Sequence, residues 1–142
     1  MSKPSIREAE LRDSDALARL IGQLGYEALP GQVGERLAVM QSEDRVVLVA
    51  ELEGEVIGCL STSIMRVLHR PAPVGRISMM VVDETFRGRG IGAELVREAE
   101  QALKERGCYM VEVTSHARRT EAHRFYERLG YERTSVRLAR VL

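Results

Sequence analysis

The sequence predicts a mixed α/β domain in which antiparallel strands come first and crossover units follow. Three observations carry this. Residues 45–52 and 55–65 are apolar runs separated by Glu53-Gly54, a two-residue hairpin turn. Residues 74–83 form a third long apolar run, which a glycine-rich turn joins to the amphipathic stretch 91–106. Residues 109–114 then read as a strand, followed by helical spacing over 120–128. Strand, helix, strand with short connections is the pattern of a crossover.

Each element has its own signal. Residues 5–10 are short enough for an edge strand. Asp13 or Ser14 can cap a helix whose stripe is Ala16, Leu17, Leu20, Ile21 and Leu24, and Gly25 stops it. Residues 26–30 form a loop. A second helix is expected over 32–40, with Val33, Leu37 and Met40 inward. The loop His69-Arg70-Pro71-Ala72-Pro73 separates the second and third apolar runs. Ile91, Leu95, Val96, Ala99, Ala102 and Leu103 give the long helix one buried face, and Gly107 ends it. In the last helix Ala122, Phe125, Tyr126 and Leu129 share helical spacing, with Gly130 as its stop. Residues 131–133 and 136–140 read as final strands. The length of 142 residues suits one domain over 1–142, and no repeat, low-complexity stretch or linker divides it.

Composition removes several classes of function. Lysine plus arginine and aspartate plus glutamate each total 21, so there is no electrostatic footprint for nucleic acid or an anionic membrane. Local crowding of arginine occurs only at 87–89 and 118–119. No run approaches the roughly 20 apolar residues of a membrane span, and the start lacks a basic-then-apolar leader pattern, which sets the expectation of a cytoplasmic protein. Cys59 and Cys108 stand in apolar surroundings, with no C-x-x-C and no Cys/His cluster at metal-ligand spacing. Two reduced core thiols and no metal are expected.

The run Arg87-Gly88-Arg89-Gly90-Ile91-Gly92 carries the chemistry. It lies between a strand and a helix start. Glycine lets backbone approach a bulky anion, and the helix N-terminus offers unpaired N–H groups and partial positive charge. That combination is a phosphate site. A nucleoside-triphosphate loop would need Gly-Lys-Ser/Thr, which is absent. A dinucleotide fingerprint would use Gly88 and Gly90 with Ala93 in place of the third glycine. It would also need an acidic residue closing the next strand, whereas Glu112 falls inside that strand.

The remaining motif is R-x-x-G-x-G, met by Arg87, Gly90 and Gly92. Downstream, Ala122-His123-Arg124-Phe125-Tyr126-Glu127-Arg128-Leu129-Gly130-Tyr131 fits A-x-x-F-Y-x-x-x-G-F/Y. With both motifs in order, the chain resembles the GNAT superfamily of acetyl-CoA-dependent N-acetyltransferases over nearly its whole length. The resemblance implies a mostly antiparallel sheet, splayed at strands 4 and 5 and covered by helices on both faces. It implies acetyl-CoA as co-substrate, its pyrophosphate held by the N–H groups of Arg87, Gly88, Arg89, Gly90, Ile91, Gly92 and Ala93. Met80, Val81 and Val82 would meet the pantetheine arm along the strand edge, as an added strand would.

Tyr126 is then the candidate catalytic residue, a general acid beside the leaving sulfur and a neighbour of the co-substrate. Relatives often carry asparagine where Arg119 stands, so Arg119 is a substituted co-substrate contact. Many relatives carry a glutamate base on the fourth strand where this chain has Ser78. Glu112, Glu84, Glu27 and His116 are the other candidates, and ordered water is the expected relay. Residues 25–34 and 69–73 would face the acceptor. There Tyr26 and Glu27 suit a cation. A small-molecule amine is favoured over a protein N-terminus or lysine, because no accessory segment exists. An acyl-CoA-binding module without turnover is the alternative from another class. A homodimer through the last strands or a sheet edge is left open.

Overall fold

In the computed structural model, which describes residues 3–41, 44–115 and 117–142, the apolar runs pair into one five-stranded sheet. The strands are β1 (Ser5–Glu8), β2 (Val47–Leu52), β3 (Glu55–Met65), β4 (Val74–Val82) and β5 (Met110–Val113), lying in that order. β1 to β4 are antiparallel and β5 runs parallel to β4. The β2–β3 hairpin turns on Glu53 at φ 50° and Gly54 at φ 81°. Two positive φ values in succession are what a type I′ turn needs.

The helices are α1 (Ser14–Leu24), α2 (Pro30–Met40), α3 (Ile91–Glu105) and α4 (Thr120–Arg128). α2 begins two residues before its expected start, because the fixed φ of Pro30 suits a first helical position. On one face of the sheet, Leu17, Leu20, Val33 and Leu37 of α1 and α2 pack on Val49, Val56, Cys59 and Val81. On the other, Leu95, Val96 and Ala99 of α3 and Tyr126 of α4 pack on Leu48, Ala50, Ile57, Leu60 and Ile77. The alternation Leu48, Val49, Ala50 divides β2 between the two cores, as a two-residue period requires. This is the helix–sheet–helix layering expected from the sequence.

Two bulges adjust that alternation. Ala50 faces Gly58 and Glu51 faces Val56, which leaves Ile57 as an extra residue in β3. Ser61 faces Met79 and Thr62 faces Ile77, which leaves Ser78 extra in β4. Each bulge flips the side-chain parity beyond it. Ile77 therefore packs toward α3, Met79 toward α1, and Met80 back toward α3.

α3 lies directly on β4 because residue 75 has no side chain. A Cβ on Gly75 would stand 2.6 Å and 2.9 Å from the two methyls of Leu103, which is fully buried. Leu103 has nowhere to retreat, so Gly75→Ala is expected to destabilise the fold by about 1–3 kcal/mol through overpacking. Thermal melting of the variant against wild type checks this.

The expected final strands do not form in this chain. Residues 131–142 belong to no strand, and β5 stays at the sheet edge. Val136, Leu138, Val141 and Leu142 are 85–111% exposed. Strand-like alternation shows that a segment is competent to pair, yet pairing needs an edge within reach. Here Tyr131 is held against α4 and α3, its N–H on the carbonyl of Tyr126 at 3.0 Å and its Oη on Glu100 at 2.7 Å.

Candidate active site

The site begins where β4 and β5 part. Their pairing runs from Val74↔Met110 to Ile77↔Val113 and stops. Ser78, the bulged residue, is the next one on β4. Beyond it Met79, Met80, Val81 and Val82 pair with β3 alone, so their other edge faces an open gap. The splay expected between strands 4 and 5 is thus present, and it coincides with the bulge.

A short 3-10 turn, Glu84–Phe86, follows β4. The Asp83 carboxylate caps it, accepting from the Thr85 N–H at 3.0 Å and the Thr85 hydroxyl at 2.8 Å. Arg19 of α1 pairs with Asp83 and donates to the Val56 carbonyl at 2.9 Å. These bonds, first the Thr85 N–H, hold the Asp83 carboxyl down at about 2. The sign follows from linkage. A depressed carboxylate contributes stability above its unfolded pKa of about 4, and that contribution fades as pH falls through its folded value. Asp83→Asn is therefore expected to flatten the acid side of the melting-temperature profile between about pH 4 and pH 2. A series of acid melts checks it.

After that turn Gly88 and Gly90 take φ of 79° and 80°, a region closed to most side chains. They bend the chain into the start of α3. Arg87 donates to the Val82 carbonyl at 3.2 Å, tying the loop to the strand end. Arg89 lies over the Phe86 ring, 5.0 Å from its centre. The first helical bond runs from the Glu94 N–H to the Gly90 carbonyl. The N–H groups of Ile91, Gly92 and Ala93 meet no acceptor among the described residues. A Cβ on Gly92 would stand 3.4 Å from both Met80 and Phe125, so glycine keeps the helix start close to the gap.

These pieces enclose one cleft of about 930 Å³. Met80, Val81, Val82, Arg87, Gly88, Gly90, Ile91, Gly92 and Ala93 form one wall, and Arg119 stands on the other. Every expected co-substrate contact is there except Arg89 and Tyr126. Arg89 stays with Phe86. Phe125, rather than Tyr126, lines the cleft. Tyr126 is buried in the α3-side core, edge-to-face with Phe125 at 5.0 Å and with Tyr131 at 5.6 Å. Its hydroxyl makes no hydrogen bond among the described residues, and burial pushes its pKa up to about 12 against the lowering effect of Arg119.

Sequence reasoning did not single out Arg128, Phe86 and Gln23, which also line the cleft. A signal for Arg128 existed. Glu121, Phe125 and Arg128 recur at helical spacing, and that face of α4 looks into the cleft. Arg87, Arg118, Arg119 and Arg128 together give the walls a cationic lining suited to phosphates. This lining and the unpaired N–H groups of α3 fit the pyrophosphate of a CoA thioester.

The candidate bases lie off these walls. The Ser78 hydroxyl is 3.0 Å from that of Ser61 and donates to the Ser61 carbonyl at 3.2 Å. Glu112 is ion-paired with Arg76 at 2.6 Å. Glu84 and Glu27 are exposed, and His116 lies outside the described residues. Toward the expected acceptor side, Tyr26 is 67% exposed and Arg70 donates to the Tyr109 hydroxyl at 3.1 Å. Cys59 and Cys108 are buried free thiols. Among the described residues no cluster could hold a metal ion, and no helix is long and apolar enough to cross a membrane.

Comparison with known proteins agrees with this geometry. The model of the acetyltransferase (GNAT) family matches residues 15–131. The chain is 30% identical over 142 residues to the aminoalkylphosphonate N-acetyltransferase of Salmonella typhimurium, covering 96% of this chain and 90% of that one. It superposes on the crystal structure of glucosamine-6-phosphate N-acetyltransferase from Arabidopsis thaliana with a TM-score of 0.87 and 26% identity, over 99% of both chains. An aminoglycoside N-acetyltransferase solved with CoA shares the fold, with a TM-score of 0.89 at 19% identity over 100% of this chain and 96% of that one. The chain therefore belongs to the GNAT family and is an acetyl-CoA-dependent N-acetyltransferase.

Proposed function

We propose that this chain acetylates the primary amine of a small molecule by direct attack within a ternary complex. The observation that carries the reading is the continuity of the site. The gap beside Met80 and Val82 opens onto the arginine-lined cleft at the start of α3. A phosphate-bearing donor laid there would lead its acyl end to the splayed strand edge.

Acetyl-CoA supplies an acetyl thioester for the acceptor amine to attack. The N–H groups of Ile91, Gly92 and Ala93, with Arg87 and Arg119, bind its pyrophosphate. The free edge of β4 from Met80 to Val82 orients the pantetheine arm, and an N–H there polarises the thioester carbonyl. Met80 and Phe125 narrow the passage and exclude water. Tyr126, packed directly behind the cleft-lining Phe125, keeps its proton on Oη and is the acid that this reading assigns to the departing sulfur. The ammonium of the acceptor loses its proton to water, since Ser78 occupies the place where a strand carboxylate would stand.

The acceptor class rests on two relatives. The aminoalkylphosphonate and glucosamine-6-phosphate enzymes are each named for a small amine that carries a phosphorus oxyanion. Aminoalkylphosphonates and hexosamine phosphates therefore lead the acceptor panel, with aminoglycosides and N-terminal peptides as comparison arms. Release of CoA thiol is measured for each. Turnover with a small phospho-amine at least about tenfold faster than with any peptide supports the reading. Turnover confined to peptides would reassign the acceptor, and binding of acetyl-CoA without thiol release from any amine would remove it.

A further inference from the structure

We propose that Arg76 determines acceptor specificity: its guanidinium receives the phosphonate or phosphate of the acceptor, and Glu112 occupies that position until the acceptor displaces it. The assignment rests on the phospho-amine reading of the acceptor and names the side chain that enforces it.

The place of the pair follows from strand parity. Ile77 of β4 and Val111 and Val113 of β5 pack on the α3-side core. Arg76 and Glu112 alternate with them and face each other across the β4–β5 ladder, on the opposite side of the sheet. That side carries α1 and α2, but the core beneath those helices takes in Met79 and Val81 and no residue of 74–78 or of β5. The sheet face is open here. Ser78 is exposed although its strand lies inside the sheet. This open floor adjoins the mouth of the gap, because Ser78 follows the last β4–β5 pair, Ile77↔Val113. Two strand residues separate Arg76 from Ser78, a span of about 7 Å. An amine at the mouth of the gap therefore puts an oxyanion on a short carbon chain within reach of the guanidinium.

The bonding of the pair suits displacement. The side chains of Arg76 and Glu112 are 38% and 34% exposed. Nε donates to Oε1 at 2.8 Å and Nη2 lies 2.6 Å from the same oxygen. Both prongs of the fork are thus spent on one oxygen. Arg76 Nη1 and Glu112 Oε2 have no partner among the described residues. A phosphonate can take the prongs side by side on two oxygens, the arrangement a planar guanidinium favours. Partial burial strengthens that attraction over its value in water. The hydroxyls of Ser61 and Ser78, 3.0 Å apart, bring no negative charge against it. A carboxylate at position 78 would repel the oxyanion. The serine that leaves β4 without a base therefore also opens the floor to an anionic acceptor.

The experiment compares a phosphonoalkylamine with the unsubstituted alkylamine of the same length, by CoA thiol release from the full chain at saturating acetyl-CoA. The readout is the ratio of kcat/KM for the two amines, which cancels any loss common to both. Arg76→Gln is expected to lower that ratio about 10- to 100-fold, through KM for the phosphonate. Glu112→Gln breaks the same ion pair but removes the competitor for the guanidinium, so the ratio is expected to rise about two- to fivefold. Arg76→Lys keeps a cation beside Glu112 without the fork and should give an intermediate ratio. A pair that only fastens β5 to β4 would shift both Gln variants in the same direction, and that result would overturn the proposal. So would a larger loss in Glu112→Gln than in Arg76→Gln with both amines, which would place the acceptor ammonium on the carboxylate. A wild-type ratio in Arg76→Gln would overturn the role of Arg76 and leave the acceptor class standing. Absence of phosphonoalkylamine turnover by the wild type would overturn both.

Discussion

Tyr126→Phe is expected to lower kcat for acetyl transfer about 10²- to 10⁴-fold, the usual range for a lost general acid, while acetyl-CoA affinity and thermal stability stay close to wild type. The separation follows from where the hydroxyl sits. The Tyr126 ring is held edge-to-face between Phe125 and Tyr131, contacts that phenylalanine keeps. The hydroxyl has no partner among the described residues, so its removal strands no donor or acceptor. Any loss of rate would then report on chemistry. Burial keeps the phenol at about 12, and it therefore retains its proton across the neutral range. Thiols ionise near about 8.5, so a thiolate is the weaker base. The proton is therefore shared through a hydrogen bond as charge builds on sulfur, and is not released in advance. The sign for pH is clear: an acid must be protonated, so activity is lost only as pH rises toward its pKa. No alkaline fall attributable to Tyr126 is expected between about pH 7 and pH 10. Full activity in Tyr126→Phe would reduce the residue to packing.

The order of elements through α4 could be read from the sequence because each carries its own period and stop signal. The stripe Leu17, Leu20, Ile21, Leu24 ends at Gly25, and Gly25 does adopt a left-handed φ of 110°. The bulge at Ser78 could not be read. A bulge inserts one residue without changing apolar composition, and its effect on parity shows only in the register with β3. It matters because the splay starts there. The face of α4 was legible only in part. Helical spacing places Ala122, Phe125, Tyr126 and Leu129 in one stripe, but α4 lies between the cleft and the core. The stripe is divided accordingly, Phe125 lining the cleft and Tyr126 the core. Periodicity reports what avoids water, and an apolar cleft wall answers that description as well as a core does. The segment 131–142 failed for a different reason. Its alternation shows a segment able to pair, yet it joins no strand of this sheet, and no local pattern says whether a strand will find an edge.

Gly90→Val is expected to weaken acetyl-CoA binding about 100-fold, from the loss of roughly 3 kcal/mol of hydrogen bonding between backbone and pyrophosphate. Space is not the cause, because nothing lies within 4 Å of a Cβ built on Gly90. The backbone is. Its φ is 80°, where a β-branched residue costs roughly 1–3 kcal/mol. The loop can escape that cost by returning φ to negative values. Doing so rotates the first turn of α3 and turns the N–H groups of Ile91, Gly92 and Ala93 away from the cleft. Losing two charge-assisted bonds among those three N–H groups, at about 1.5 kcal/mol each, accounts for the expected loss. Gly54→Val is the matched control. Gly54 has φ of 81° and the same open surroundings, but it sits in the β2–β3 hairpin turn. Equal strain there should lower the melting temperature and leave the acetyl-CoA dissociation constant unchanged. Calorimetric titration of both variants decides the matter. If Gly90→Val binds acetyl-CoA as wild type does, the start of α3 is not the pyrophosphate cradle. If both variants bind weakly, the loss follows from general destabilisation. Weak binding in Gly90→Val alone ties the co-substrate to the geometry of this one turn.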